Sequence, residues 1–244
     1  MADPASRAGA PDPTFYPVEE KVPENLLNRD VADTLRHLVE RWLAERGEVA
    51  RVGADQFIYW VQYRPTTTVA PDVYVLPGVD PETAISAWKV WETGVVPSLA
   101  VEVVGLDVRK DYEVGPERYA ELGVEELIVY DPDCAEGRER VRFQVWRRRR
   151  GAFVRVARTD AERVRSRVLG CFVREVGEGA LRRLRLATGS RSEVLFPTAE
   201  EAERKLRTIA EAAERELEAE RQRRENAEAE IARLRTELER LRRE

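Results

Sequence analysis

Histidine, cysteine and lysine are scarce in this 244-residue chain: it has one His, two Cys and four Lys, the last being Lys21, Lys89, Lys110 and Lys205. A structural zinc site needs about four soft ligands and a disulfide framework needs paired cysteines at short spacing, so neither is available. A Cys-His nucleophile has no supporting motif around Cys134 or Cys171. His37 falls beside Thr34 and Arg41, off the apolar stripe of its helix, and reads as a surface histidine. Long apolar runs are missing too; none approaches the roughly 18 residues of a membrane span. The start, MADPASRAGAPDP, lacks the basic-then-apolar order of a secretory signal, so a cytoplasmic protein without membrane contact is expected.

Charge is abundant at 36% of residues, and the formal net of -5 conceals a partition. Residues 1–137 carry 12 Lys+Arg against 26 Asp+Glu, residues 138–191 carry 17 against 5, and residues 198–244 are nearly balanced. A net negative chain argues against a nucleic-acid partner; a +12 segment within it keeps that partner open.

Residues 1–28 are proline-rich and poor in apolar side chains, which reads as an irregular arm. From Asp30 to Arg46, Val31, Leu35, Leu38, Val39 and Trp42 recur at spacings of three and four, the pattern of one helix with a single buried stripe. Strand-like runs follow: Gln56 to Tyr63 (QFIYWVQY), Asp72 to Leu76 (DVYVL), Leu99 to Val104 (LAVEVV) and Leu127 to Tyr130 (LIVY). Between the last two, Pro116 to Gly123 is a short helix opened by proline and closed by glycine, so a strand–helix–strand crossover over a mixed sheet is expected. Val141 to Trp146 and Phe153 to Ala157 flank the basic segment Arg147 to Gly151, read as a hairpin turn, and further strands are expected at Cys171–Val176 and Leu181–Leu186. After Pro197, Thr198 and Glu201 form a capping box, and no Gly or Pro interrupts the chain to Glu244. That helix would extend roughly 70 Å. Its apolar residues follow a heptad frame from Leu206 to Leu241, broken by Glu220 and Arg224, which predicts a coiled coil joining a second copy or a helical partner. A solvated single helix held by Glu-Arg pairs is the alternative. The domains are therefore an arm (1–28), an α/β (α+β) domain with a mixed sheet flanked by helices (29–196) and a C-terminal helix (197–244).

Two carboxylates stand out. Asp72 opens a strand directly after a proline, and Glu102 sits in the middle of an apolar run, on the face of Ala100 and Val104. A carboxylate in such a strand is costly unless it is paired or bound to a cation. Were the two strands neighbours, the carboxylates would converge on one divalent ion, and Mg²⁺ suits hard oxygen ligands that leave room for water. An ion pair of Glu102 with Arg109 or Arg118 is the competing reading.

The segments QFIYW, VAPDVYVLPGVD, WKVWETGVVPSLAVEVV and RKDYEVGPERYAELGVEELIVYDP, in this order, resemble the Uma-two family of restriction-endonuclease-like proteins from about Glu24 to Pro132. The resemblance implies a PD-(D/E)XK-type nuclease fold, a restriction-endonuclease-like core and Mg²⁺- or Mn²⁺-dependent cleavage of DNA. It makes Asp72 the acid of the PD motif, Glu102 the second acid and Glu24 an accessory acid, with Asn28 where a histidine often follows. The lysine two residues after the second acid is Val104 here, and the alternative lysine four residues after the position of Asp111 is Gly115. Lys110 is the remaining lysine nearby. Asp72, Glu102 and Lys110 are thus the candidate catalytic residues, the first two as metal ligands, with DNA held by segment 138–191 through Arg140, Arg142 and Arg147 to Arg150. The other reading is a nuclease-fold protein without catalysis, acting as a nucleic-acid-binding or coiled-coil assembly module.

Overall fold

A computed structural model describes residues 14–17, 26–137 and 139–242. Glu24 and most of the arm lie outside them. The chain divides into two units, Met1–Phe196 and Pro197–Glu244.

The first unit opens with helix α1 (Leu26–Glu45), which starts four residues ahead of the expected Asp30. Its stripe is buried as the spacing requires: Val31, Leu35 and Val39 are fully covered. Strands β1 (Ala50–Gly53), β2 (Phe57–Tyr59), β3 (Thr68–Val69), β4 (Val73–Pro77) and β5 (Ala87–Lys89) follow, then a single helical turn, α2 (Val90–Thr93), and β6 (Leu99–Val103). A π-helical turn at Lys110–Val114 runs into α3 (Gly115–Leu122), which ends at Gly123 in the left-handed conformation (φ +99°). After β7 (Glu126–Tyr130) come β8 (Phe143–Arg149), β9 (Ala152–Thr159), β10 (Arg163–Arg165), β11 (Phe172–Val176), β12 (Arg183–Thr188) and β13 (Val194–Leu195).

Six strands form the main sheet in the order β1-β4-β6-β7-β8-β9. Only β6 and β7 run parallel, joined by the expected crossover through α3; every other neighbour is antiparallel. The fold class is mixed α/β, with mixed sheets, flanking helices and a long C-terminal helix. Both faces of the central strands β4, β6 and β7 are buried, which explains why they read as continuous apolar runs instead of alternating ones. One face, carrying Val73, Val101, Val103 and Ile128, packs with α1 and with the antiparallel sheet β10-β11-β12-β13. The other, carrying Tyr74, Ala100, Leu127 and Val129, packs with Tyr119 and Leu122 of α3 and with a small sheet, β3-β2-β5.

Two expectations are corrected. The strand in QFIYWVQY shrinks to Phe57–Tyr59, because the chain turns between Val61 and Arg64 and passes through the left-handed region at Tyr63 (φ +63°). Arg147 to Arg149 belong to β8, and the hairpin turn is the two-residue Arg150-Gly151, both at positive φ as the right-handed strand twist favours.

In the second unit, α4 (Ala199–Leu241) runs 43 residues, about 65 Å at 1.5 Å per residue. Thr198 Oγ1 accepts the Glu201 N–H at 3.2 Å and the Glu201 carboxylate accepts the Thr198 N–H at 2.9 Å, the expected capping box.

Candidate active site

The antiparallel register of β4 and β6 pairs Val73 with Val101, so the residues flanking that pair, Asp72 and Glu102, come level with each other. Asp72 Oδ2 accepts the Val103 N–H at 2.5 Å, tying its carboxyl across the strand boundary. Glu102 is half-buried on the Ala100 face, and the fully buried Tyr119 of α3 donates its hydroxyl to Glu102 Oε1. Burial raises the Asp72 carboxyl to about 7, against the pull of the Val103 N–H. Burial and the neighbouring Asp72 charge lift Glu102 well above its ordinary range, and the Tyr119 hydroxyl partly offsets the rise.

A third carboxyl stands close. Asp111, on the π-turn, accepts the Gly105 N–H at 3.0 Å, and burial raises it as well. Its charge adds to the upward pressure on both Asp72 and Glu102. Among the described residues, none of the three carboxylates forms a salt bridge. The ion pairs weighed for Glu102 do not form: Arg109 pairs with Glu113 at 3.2 Å, and Arg118 donates to the Thr68 carbonyl at 2.8 Å.

Glu102 and Asp111 open into a cleft of about 270 Å³, which is also lined by Lys110, Gly115 and Arg118. Lys110 is exposed, and its ammonium favours the ionised forms of Glu102 and Asp111. The π-turn sets this geometry: the Gly115 N–H donates to the Lys110 carbonyl, widening the turn so that Lys110, Asp111 and Gly115 all line the cleft. Val104, by contrast, is fully buried in the core.

A family model described as "Uma2: Putative restriction endonuclease" matches residues 18–172, more than half of the chain. The chain belongs to the Uma2 family. Among solved structures it is similar to "a putative nuclease belonging to DUF820 from Anabaena variabilis", with 12% identity and a TM-score of 0.41 over 61% of this chain and 75% of that one. No curated protein matches.

In this Uma2 chain Tyr119 went unrecognised in the sequence, although its place one helical turn beyond Gly115 carried a signal: a buried phenol requires a hydrogen-bond partner. Several arginines assigned to DNA are already engaged. Arg140 makes two hydrogen bonds, at 2.7 and 2.6 Å, to the fully buried Asp131. Arg142 pairs with Glu175 at 3.3 Å, Arg147 with the buried Glu126 at 2.6 Å, and Arg148 caps the Ala120 carbonyl at the end of α3 at 2.6 Å. Arg149 and Arg150 remain exposed and, with Arg148 and Arg167, line an open cleft of about 630 Å³. His37 is exposed, with both ring nitrogens engaged by the Asp33 carbonyl and Arg36. No helix among the described residues is long and apolar enough to cross a membrane.

Proposed function

We propose that this Uma2 protein is a metal-dependent endonuclease that hydrolyses DNA phosphodiester bonds, with Asp72 and Glu102 as metal ligands and Lys110 as the cleft's catalytic cation. The observation that carries the reading is the adjacent, largely desolvated carboxyl pair without a cationic partner among the described residues. Such a pair is unfavourable unless it retains a proton or meets a cation. Among the described residues no three His, Cys, Asp or Glu side chains gather into a metal-binding group. A pair of carboxylates suits an ion that keeps several waters and takes further oxygens from a phosphate, the habit of Mg²⁺ and, in similar sites, Mn²⁺. When bound, such an ion polarises the phosphate and lowers the pKa of a coordinated water. The protein's own groups do the positioning: Tyr119 orients Glu102, the Val103 N–H orients Asp72, and Lys110 presents positive charge where negative charge develops on phosphate.

DNA is held, on this reading, by solvent-facing arginines of segment 138–191 that line one open cleft, Arg149, Arg150 and Arg167. The C-terminal helix is the assembly element. A second reading, a nuclease fold that binds metal and DNA without cutting, draws on the absence of lysine at Val104 and Gly115.

Purified chain with Mg²⁺ or Mn²⁺ should nick supercoiled DNA. Asp72→Ala and Glu102→Ala should each abolish nicking and calorimetric metal binding, and Lys110→Ala should slow nicking by about 10²–10³-fold while leaving metal binding in place. Metal binding without cleavage by the wild type, across several DNA substrates, selects the second reading. Loss of neither property in Glu102→Ala defeats both.

A further inference from the structure

α4 buries no residue within its own unit, and its leucines and isoleucines are all exposed. In the heptad frame Leu217, Ile231 and Leu238 take a positions and Leu206, Leu234 and Leu241 take d positions. Ile at a with Leu at d, as in Ile231 and Leu234, favours two strands over three or four.

The flanking charges set the direction. In a parallel, in-register pair each g residue meets the e residue five places further along the second copy. Glu216 then meets Arg221, Arg223 meets Glu228, and Glu230 meets Arg235, three successive pairs of opposite sign. These charges are also available. Among the described residues, Glu216, Arg221, Arg223, Glu228 and Arg235 form no ion pair inside α4, and Glu230 reaches Arg233 only at 3.9 Å. Elsewhere on the helix, Arg207 and Arg215 pair with Glu211.

The core interruption agrees. Glu220 at d accepts from Arg224 at the next a position at 2.8 Å. In register, the two copies stack a layer of two Glu on a layer of two Arg, and the four charges compensate. A slip of one heptad sets Glu220 against Ala213 or Ala227 and Arg224 against Leu217 or Ile231 of the second copy, leaving each copy's Glu220–Arg224 pair desolvated against apolar residues without the second copy's opposite charges. An antiparallel pair that levels Glu220 with Arg224 of the second copy sets Arg221 against Arg221, Arg223 against Arg223 and Glu214 against Glu228.

We propose that α4 is a parallel, in-register, two-stranded coiled coil with a second copy of this chain, its direction set by the pairs Glu216–Arg221, Arg223–Glu228 and Glu230–Arg235 and its register by Glu220 and Arg224. The two Thr198 ends then lie side by side, so chain connectivity tethers two copies of the N-terminal unit at one end. This does not depend on the unit being an active nuclease.

The test uses the full chain. Light scattering should give twice the 28.0 kDa chain mass, and Leu234→Asp with Leu238→Asp should halve it. Glu216→Arg with Glu230→Arg should weaken the dimer at least tenfold, and adding Arg221→Glu with Arg235→Glu should restore it. For direction, a nitroxide on a ketone-bearing residue introduced at position 205, and in a second sample at position 233, leaves the native cysteines untouched. A parallel pair gives a distance under about 30 Å at both positions, given helix axes 8–10 Å apart. An antiparallel pair in any register separates the labels by at least about 40 Å at one of them. A monomer, a mass of three or more chains, a long distance at either position, or failure of the compensating charges to restore the dimer would overturn the proposal.

Discussion

Asp72 shows how one residue couples fold, pH and chemistry. Its carboxyl, ordinarily at 3.8, is held at about 7 by burial, so between these values the folded chain keeps a proton that the unfolded chain has released. Stability of the metal-free protein therefore falls as pH rises through that window. Asp72→Asn should raise the melting temperature in chelator by a few degrees at pH 8 and by less at pH 5, as thermal denaturation at the two pH values would show. A wild type that gains stability between pH 5 and 8 more steeply than the variant would contradict the burial argument. Tyr119 acts on the other acid. Phe at this position keeps the buried ring and removes the donor to Glu102, and the usual cost of losing an orienting hydrogen bond to a metal ligand is about 10–100-fold in affinity. Tyr119→Phe should weaken Mg²⁺ binding by that factor in calorimetry with an unchanged far-ultraviolet spectrum. Cys171 is buried and its thiol pushed up to about 12, so it does not serve as a nucleophile at neutral pH.

At the scale of elements, the β8–β9 hairpin separates arginines that the sequence presents as one block. Arg147 reaches across to Glu126, which is 1% exposed and also accepts from Ser166 and from the Arg167 and Val168 N–H groups. Removing the guanidinium leaves that carboxylate buried without its cation, a loss of about 3–5 kcal/mol. Arg150, at the turn, is exposed. Chemical denaturation should find Arg147→Ala strongly destabilised and Arg150→Ala within about 0.5 kcal/mol of the wild type. The same logic applies to Arg140, held by Asp131 with Tyr112 on the same carboxylate. Two helix ends were plain from sequence because their determinants are local: Gly123 stops α3 and Thr198 with Glu201 starts α4. The small sheet β3-β2-β5 was not, because its strands are two or three residues long and owe their pairing to packing against α3 and the main sheet.

For the whole molecule, charge partition is the feature that bears on a nucleic-acid partner. Part of the +12 of residues 138–191 is offset by carboxylates outside the segment, Asp131, Glu126 and Asp30, which pair with Arg140, Arg147 and Arg183, so the surface available to phosphate is smaller than the count suggests. The logarithm of DNA affinity should fall linearly with the logarithm of salt concentration, and replacing Arg149, Arg150 and Arg167 together by Ala should lower the slope by roughly 2–3. An unchanged slope moves the DNA contact elsewhere.

Pattern within the chain determined the central strands, the crossover helix, the hairpin and the capped C-terminal helix, because periodicity and end signals act over a few residues. It also marked Asp72 and Glu102, since a carboxylate at the head of one buried strand and inside another is conspicuous wherever those strands go. Tertiary structure alone decided that the two acids lie level, that Tyr119 reaches Glu102, and that Lys110 and Asp111 share the cleft that Glu102 lines. It also decided which arginines are committed to carboxylates 9 to 33 residues away and which face solvent. The reason is physical: an ion pair or a shared proton depends on distance and burial in space, and neither is fixed by separation along the chain.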